Sequence, residues 1–403
     1  MILIHYGEIG LKGKNRHSFE ERLLNNVRKA LGGSAESAKI FQKRIFVELA
    51  DTRGAGEGGT GNAKPATHGS QEDAVASALR KVPGIEWFAF AQECEPEIGA
   101  IWEKVKGNLH EFEGKTFAVR TKRSDKEFPL KSMEVSGEIG SRIGEKTKSK
   151  VDLGNPQITA HIEIMKGKAL VFFKKEKGFG GLPVGSAGKI LCLMSGGIDS
   201  PVAAALMMKR GCEVDFLHIH PFEEKGAEKV QKSKIGKLIE ILNGFQQREA
   251  KLFAIAYAGF YAQSGQVERR YELVVFRRYL YKLAEKIAKE YGYLGVVSGD
   301  ALGQVASQTL ENIGCAQSGL EIPVFRPLIS MDKMEIVEIA EKIGTYEESI
   351  KEYTDCCSLV SVKSPVTKAR RGTVEEYYEK MEIPKLIKEN IEEIKKGEKK
   401  GSP

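Results

Sequence analysis

Apolar residues recur along this chain with two different periods, and the alternation of these periods divides it into three blocks. The first block predicts a strand over 2–6, a helix over 19–31 and a return strand over 44–49. The second predicts helices around 71–82, 101–109 and 132–147, and strands over 87–91, 116–120, 158–165 and 169–173. The second block is therefore typical of a modest α/β sandwich.

The third block is the longest and the most regular. Strands predicted over 190–194, 213–219, 252–256 and 294–298 alternate with helices that begin near Ser200, Ala227, Glu268 and Ala301. Such alternation is typical of a doubly wound, mainly parallel sheet with helices on both faces. A glycine-rich linker precedes this block and a charged, partly helical tail follows it. A further segment, about 50–70, holds no large apolar residue and is predicted to be a flexible insertion.

Composition restricts the class of protein. A chain of 403 residues with 41% hydrophobic residues should form two or three globular domains. Its N-terminus lacks the basic segment of a secretory signal, and no apolar stretch approaches the length of a membrane span. The six cysteines offer no disulfide framework, so we expect a reducing cytoplasm and no membrane partner. The net charge of +7 is compatible with a polyanionic partner without requiring one.

The clearest chemical signal is Ser195-Gly-Gly-Ile-Asp-Ser200, between a buried-strand pattern and an apolar helix pattern. N–H groups at a helix N-terminus bind phosphate, and Gly196 and Gly197 let the backbone approach an anion. Ser195 and Ser200 add hydroxyl donors. Asp199 fits a phosphate site when a cation such as Mg²⁺ bridges the two charges. The plain alternative is a strand–turn–helix corner with a capping serine. The loop lacks the Lys-Ser/Thr of a Walker loop and resembles the pyrophosphatase loop of enzymes that split ATP into AMP and pyrophosphate.

Several segments together resemble the tRNA 4-thiouridine synthetase family (tRNA uracil 4-sulfurtransferases, or thiamine-biosynthesis protein I) over nearly the whole chain. They are residues 6–16, 123–129, 181–185, 195–200, 299–308, 355–357 and 363–365. The resemblance implies the activity, which is ATP-dependent conversion of the uridine at tRNA position 8 to 4-thiouridine. In that reaction O4 is adenylated and persulfide sulfur then attacks C4.

The resemblance also implies the domain organisation. The domains are an N-terminal ferredoxin-like α+β domain over 1–76, a THUMP RNA-binding domain over 77–177, a linker over 178–188, a pyrophosphatase-loop catalytic domain over 189–385 and a charged tail over 386–403. Two other functions remain open from the residues. An ATP-dependent, AMP-forming amidotransferase or ligase acting on a small molecule would share the third block but need no RNA surface. A non-catalytic tRNA-binding protein would not need the intact loop and cysteines.

Individual roles follow from the same resemblance. ATP contacts are expected from Leu193, Met194, Ser195, Gly196, Gly197, Asp199, Ser200, His218, Ile219, Arg277, Gly299 and Gln308. Ligands of open α/β sheets bind outside the carboxyl ends of the strands, which is where most of these residues are predicted to lie. Catalytic roles are expected from Asp199, Lys333, Cys356 and Cys357, and Mg²⁺ would be held through Asp199 together with the phosphates. Lys333 is alternatively a solvated lysine at a helix start.

Sulfur has to arrive as a nucleophile, and a thiolate near an electropositive site is the reactive form of cysteine. Cys356 and Cys357 are therefore the candidate persulfide carriers, whereas Cys192 and Cys212 lie in or beside apolar strand patterns. A disulfide within the vicinal pair is disfavoured, because consecutive Cα atoms are only about 3.8 Å apart. Cys315 is a candidate resolving thiol. An iron–sulfur cluster on these cysteines would lack a C-x-x-C spacing.

The sulfur donor and the RNA contacts complete the expectations. The chain carries no rhodanese domain, which implies a separate donor such as a cysteine desulfurase, or sulfide, and puts a role in thiamine synthesis in doubt. A homodimer is compatible with the sequence. Two basic clusters are candidate tRNA contacts, and the second has an interleaved aromatic that suits base stacking. The clusters are Lys12, Lys14 and Arg16, and then Arg120, Lys122, Arg123, Lys126, Phe128 and Lys131.

Overall fold

A computed structural model of the chain describes residues 1–50, 68–222, 226–353, 356, 360 and 364–400. The chain forms two compact units. Unit 1 comprises Met1–Arg80 and Gly84–Gly180, and unit 2 comprises Lys81–Pro83 and Gly181–Pro403. Most of the predicted insertion at 50–70 lies outside the described residues.

Unit 1 is built on two sheets. Its strands are β1 Ile2–His5, β2 Ala35–Phe41, β3 Arg44–Leu49, β4 Trp87–Phe90, β5 Gln92–Cys94, β6 Phe117–Arg123, β7 Ile158–Met165, β8 Lys168–Phe172 and β9 Glu176–Lys177. Its α-helices are α1 Arg16–Leu31, α2 His68–Arg80, α3 Ile98–Lys106 and α4 Ser132–Thr147. A short 3-10 helix, Glu8–Leu11, stands where the sequence predicted a turn. Strand β2 was not predicted, because exposed and half-buried residues alternate irregularly along it.

The first sheet corrects the predicted boundary between residues 76 and 77. Its strand order is β2-β3-β1-β4-β9, with every pair antiparallel. The predicted boundary falls inside α2, and both β4 and β9 come from beyond it. The reason is that Phe88 and Ala89 are fully buried against β1, a pairing that the local pattern does not reveal. The second sheet, with order β5-β8-β7-β6, uses the residues between β4 and β9.

Unit 2 alternates strands and helices. Its strands are β10 Lys189–Leu193, β11 Glu213–His220, β12 Leu252–Ala256, β13 Val296–Val297 and β14 Val324–Phe325. Its α-helices are α5 Asp199–Lys209, α6 Gly226–Lys232, α7 Lys234–Gln246, α8 Ala258–Ser264, α9 Arg269–Tyr291, α10 Leu310–Ala316, α11 Lys333–Ile343, α12 Tyr346–Ser349, α13 Arg371–Lys380 and α14 Ile383–Lys400. The charged tail predicted over 386–403 is helical as far as Lys400, within α14. No helix in the described part of the chain is long and apolar enough to cross a membrane.

The sheet of unit 2 confirms the predicted doubly wound fold. Its order is β12-β11-β10-β13-β14, and all four neighbouring pairs are parallel. The chain moves outward from β10 in one direction, through β11 to β12, and then in the other, through β13 to β14. A crevice for ligands is expected where the direction reverses, at the carboxyl ends of β10 and β13.

One predicted element of this unit was wrong. The helix predicted to begin near Ala301 begins instead at Leu310. Gly303 adopts a φ of +74°, which a helix does not accommodate, and a 3-10 helix follows over Ala306–Gln308. Thr309 then caps α10, because its hydroxyl accepts the N–H of Asn312. The residues that precede α10 are therefore a loop over the carboxyl end of β13.

Candidate functional site

The loop 195–200 connects β10 to α5 at the carboxyl end of the central strand. Buried Ser200 stabilises it, since its hydroxyl accepts the N–H of Ser195 at 2.9 Å and lies 3.1 Å from the Ser195 hydroxyl. Neither Gly196 nor Gly197 has a positive φ. A Cβ on Gly196 would instead lie 2.7 Å from the ring of Tyr353. Gly196 is therefore required for space beside that ring rather than for an unusual backbone conformation.

Asp199 begins α5 and contacts side chains from two other segments. The Nζ of Lys333, the first residue of α11, lies 2.9 Å from Asp199 Oδ1, and Gln304 Nε2 donates to Oδ2 at 3.0 Å. The Lys333 side chain is 46% exposed, so it remains accessible from solvent. The structure thus brings together two predicted catalytic residues that are far apart in the sequence.

A buried cluster around Asp300 was missed by the sequence analysis. Asp300 is 2% exposed, and its carboxylate accepts from Arg277 at 2.5 Å and from the Tyr281 hydroxyl at 2.7 Å. It also accepts from Arg326 Nε at 3.2 Å. Burial alone would raise the pKa of this carboxyl, but the Arg277 charge and the hydrogen bonds from Ser298 and Tyr281 hold the pKa well below its usual range. Asp300 therefore stays ionised and fixes the guanidinium of Arg277.

These segments surround a cleft of about 500 Å³ at the carboxyl ends of β10, β11 and β13. Every residue predicted to contact ATP, apart from His218, lines it. Helix α9 adds an apolar wall of Leu273, Phe276 and Leu280. The Oε1 of Gln308 is a buried acceptor with no hydrogen-bond partner in the described part of the chain, so it is free to accept from a ligand. The cleft therefore has the candidate phosphate-binding loop and the apolar wall of α9 among its sides, and Gln308 Oε1 as an acceptor for a ligand.

His218 is not among the residues that line the cleft, and its expected contact with ATP stays a prediction. It is buried near the end of β11, with Nδ1 2.9 Å from the carbonyl oxygen of Met194 and Nε2 2.8 Å from the hydroxyl of Tyr353. Tyr353 was not singled out in the sequence analysis, although it lies three residues before Cys356 and lines the cleft. The histidine therefore links the start of the loop to the segment that precedes the cysteines.

The structure separates the cysteines into two groups. Cys356 lines the cleft, is 1% exposed, and its thiol donates to the carbonyl oxygen of Ile219 at 3.3 Å. Cys357 lies outside the described residues. Burial raises the pKa of the Cys192, Cys212 and Cys315 thiols, and none of the three lines the cleft. The thiol of Cys315 donates to a backbone carbonyl at 3.4 Å, which makes it a poor nucleophile as it stands.

The first predicted basic cluster lies in unit 1, between the 3-10 helix and α1. Arg16 is engaged within the turn, where it donates to the carbonyl oxygen of Gly10 and pairs with Glu20 at 3.7 Å. The Nζ of Lys12 lies 5.0 Å from the ring centroid of Phe19. Lys14 is exposed. Lys12 and Lys14 therefore keep their charge at the surface, whereas Arg16 stabilises the turn.

The second basic cluster requires a correction. Arg120, Lys122, Lys126 and Lys131 are exposed. Phe128, in contrast, is 7% exposed and packs in the core beneath the second sheet. Arg123 holds this loop, because its Nη1 donates to the carbonyl oxygens of Phe128 at 2.7 Å and Leu130 at 2.9 Å. Phe128 therefore cannot stack on a base, since the loop turns its ring inward.

Aromatic rings lie beside basic side chains at a different place in unit 1. Arg120 and Lys122 line a second cleft, of about 240 Å³, within unit 1. Its other ring-bearing and basic side chains are His5, Trp87, His161, Phe172 and Lys175. The Nζ of Lys175 lies 4.5 Å from the ring centroid of Trp87. Burial first, and then the charges of Lys122 and Arg120, lower the pKa of Lys175. Crowded cations beside aromatic rings favour an anionic ligand with a planar ring, such as a nucleotide.

Comparison with known proteins finds three family models that match successive parts of the chain. The chain matches the ThiI ferredoxin-like domain over residues 1–56, the THUMP domain over 95–174 and the thiamine biosynthesis protein (ThiI) family over 185–383. It is similar to a 4-thiouridine synthetase solved as an RNA complex with bound ATP. That likeness has 32% identity, a TM-score of 0.80 and a coverage of 96% of each chain.

Relatives of similar length extend the comparison. A probable tRNA sulfurtransferase of Thermoanaerobacter pseudethanolicus is 38% identical over 399 residues, which is 98% of each chain. Another, from Caldanaerobacter subterraneus, is 39% identical over 399 residues and again covers 98% of each chain. The similarity thus includes the loop, the cleft and the cysteine segment. This chain belongs to the tRNA sulfurtransferase family.

Proposed function

We propose that this protein is an ATP-dependent tRNA sulfurtransferase that converts the uridine at tRNA position 8 to 4-thiouridine. One observation carries the proposal: a single cleft is lined by both the phosphate loop and a cysteine, Cys356. Adenylation and sulfur transfer need their reactive groups in one place, because the activated carbonyl must meet the sulfur before water hydrolyses it.

The cleft supplies the groups that ATP requires. The N-terminus of α5 and the loop before it would hold the phosphates, because backbone N–H groups at a helix N-terminus and the helix dipole favour an anion there. The apolar wall of α9 suits a purine ring, and Gln308 Oε1 is an acceptor for its amino group. Lys333 would offset charge that develops on the departing pyrophosphate.

A Mg²⁺ ion accompanying ATP fits Asp199. Its carboxylate lies at the loop and is contacted by the exposed side chains of Lys333 and Gln304, whereas Asp300 is committed to buried arginines. One carboxylate together with substrate phosphates is a common protein environment for this ion. No cluster of three or more ligating side chains exists in the described part of the chain, so the phosphates would complete the coordination. The ion would neutralise phosphate charge.

The reaction proceeds in three steps. Uridine O4 attacks the α-phosphorus of ATP, the N3 proton goes to solvent, and pyrophosphate leaves. The terminal sulfur of a persulfide on Cys356 or Cys357 then attacks C4, and AMP departs with the former O4. A second thiol attacks the cysteine sulfur of the resulting mixed disulfide, which releases 4-thiouridine and leaves a protein disulfide. A dithiol reductant supplies the two electrons that restore the thiols.

The second cleft supports tRNA as the substrate. Arg120, Lys122 and Lys175 line it together with one carboxylate, Glu163, so its basic side chains outnumber its acidic ones. Exposed lysines elsewhere in unit 1 extend the basic surface, as phosphate neutralisation along an RNA requires. A small-molecule ligase would have no use for these groups. ATP, tRNA and a sulfur donor such as a cysteine desulfurase meet in the cytoplasm, which is where we place the protein.

The test is thiolation of unmodified tRNA by the full chain with ATP and sulfide, read from the near-ultraviolet absorbance of 4-thiouridine, with pyrophosphate measured in parallel. Wild type should form both products, and Asp199→Ala should form neither. Asp73→Ala, an exposed carboxylate of α2, is the matched control and should behave as wild type. No 4-thiouridine from wild type, despite pyrophosphate release without tRNA, would overturn the proposal in favour of a small-molecule ligase.

A further inference from the structure

Tyr353 contacts the part of the cleft that holds the phosphate loop. Its hydroxyl lies 2.8 Å from Nε2 of His218, and its ring occupies the space that a Cβ on Gly196 would need. It also lines the cleft itself. The residue is therefore in contact with the phosphate loop, while its place in the chain is three residues before Cys356.

The proton positions in this contact follow from the chemistry of the partners. The Nδ1 of His218 faces the carbonyl oxygen of Met194, which can only accept, so Nδ1 carries a proton. In a neutral ring Nε2 is then an acceptor, and the hydroxyl of Tyr353 donates to it. A continuous chain of donors thus runs from Tyr353 through His218 to Met194, the last residue before the loop 195–200.

Cys356 rests on the next residue of the same strand. Its thiol donates to the carbonyl oxygen of Ile219 at 3.3 Å, and Ile219 directly follows His218 in β11. Tyr353 and Cys356 are therefore both fixed to the end of one strand, by two neighbouring residues. The ring of Tyr353 adds the contact with Gly196, which ties Tyr353 to the phosphate loop.

We propose that Tyr353 is a positioning residue that keeps Cys356 aligned with the adenylated uridine. This rests on the proposed function, and it concerns the second chemical step rather than the first. Loss of the hydroxyl removes the contact between Tyr353 and His218 of β11 without emptying the space beside Gly196. ATP activation should therefore persist in Tyr353→Phe, while delivery of sulfur slows and more of the adenylated uridine is lost to water.

The experiment measures two rates on one sample, with L-cysteine and a cysteine desulfurase as the sulfur source. Tyr353→Phe should lower the rate of 4-thiouridine formation by about tenfold or more, with pyrophosphate release and the KM for ATP within about threefold of wild type. The ratio of pyrophosphate released to 4-thiouridine formed should therefore rise. Tyr261→Phe, an exposed tyrosine of the same unit, is the matched control and should leave both rates unchanged.

A second variant tests the same hydrogen bond. His218→Gln removes the other partner of the same hydrogen bond. If the two residues act through that bond, the double variant should lower the rate of 4-thiouridine formation little further than Tyr353→Phe alone. Equal loss of both products in Tyr353→Phe, or no loss of either, would overturn the inference while wild-type thiolation stands. Absence of 4-thiouridine from wild type would overturn the proposed function and the inference with it.

Discussion

Replacement of Asp300 by asparagine offers a quantitative test of the buried cluster beside the cleft. The substitution keeps the shape of the side chain but removes a charge that faces two guanidinium groups. The side chains of Arg277 and Arg326 are only 14% and 12% exposed, so water cannot compensate them well. The Tyr281 hydroxyl, which donates to the carboxylate at 2.7 Å, would meet a weaker acceptor.

The expected magnitude follows from these contacts. Removal of one partner from a buried ion pair costs about 3–5 kcal/mol, because the other charge stays desolvated. For a unit of this size each kcal/mol lowers Tm by about 2–4 °C, so unit 2 should unfold about 6–20 °C earlier. Since the pKa of Asp300 is depressed in the folded state, its stabilisation is present above the unfolded pKa of about 3.9 and is lost as pH falls through the folded value.

The two tryptophans make the assay specific. Trp87 and Trp102 both belong to unit 1, so their fluorescence follows that unit, whereas circular dichroism follows both. Asp300→Asn should shift a transition seen by circular dichroism and leave the tryptophan transition in place, at neutral pH. Asp73→Asn is the exposed carboxyl-to-amide control. A shift in Asp300→Asn no larger than in that control would refute the argument that the carboxylate is needed to compensate the arginines.

Two further predictions concern the loop and unit 1. In Gly299→Ala the new Cβ would lie 2.8 Å from the backbone nitrogen of Ser200, so the KM for ATP should rise by about tenfold. The control is Gly314→Ala, because nothing lies within 4 Å of the Cβ that it adds. Equal KM values for the two variants would contradict the steric argument. Burial and the charge of Lys175 lower the pKa of His161 to about 4, so its contribution to stability is present above its unfolded pKa of about 6.5 and is lost as pH falls towards 4. The tryptophan transition should accordingly fall less between about pH 7 and about pH 5 in His161→Gln than in wild type, and an equal fall would exclude this histidine as a source.

Much of the catalytic unit was predictable because its signals are local. A buried strand that runs into Ser195-Gly-Gly is recognisable from neighbouring residues alone, and the alternation of strands and helices fixes a parallel sheet. The cleft then follows from topology, since parallel strands present their carboxyl ends at one edge. This is why the expected nucleotide contacts, apart from His218, line one cleft.

The remainder depends on contacts between distant residues. Tyr353 and Asp300 acquire their roles from partners in other elements, which no local pattern identifies. Phe128 was misjudged because it stands among lysines and arginines, yet its ring packs in the core. The boundary at 76 failed for the same reason, since a short apolar strand such as β4 fits either sheet until its pairing is known.

The pairing of β4 with β9 also bears on how the chain is made. Trp87 pairs with Lys177 and Phe88 with Glu176, so β4 leaves the ribosome long before its neighbour on that side. At roughly 5–20 residues per second, the nascent sheet waits several seconds with the N–H and C=O groups of β4 that face β9 unpaired, although its other edge can already pair with β1. Unpaired strand edges attract other chains. Early segments of this protein should therefore depend on chaperone cover until translation passes residue 177.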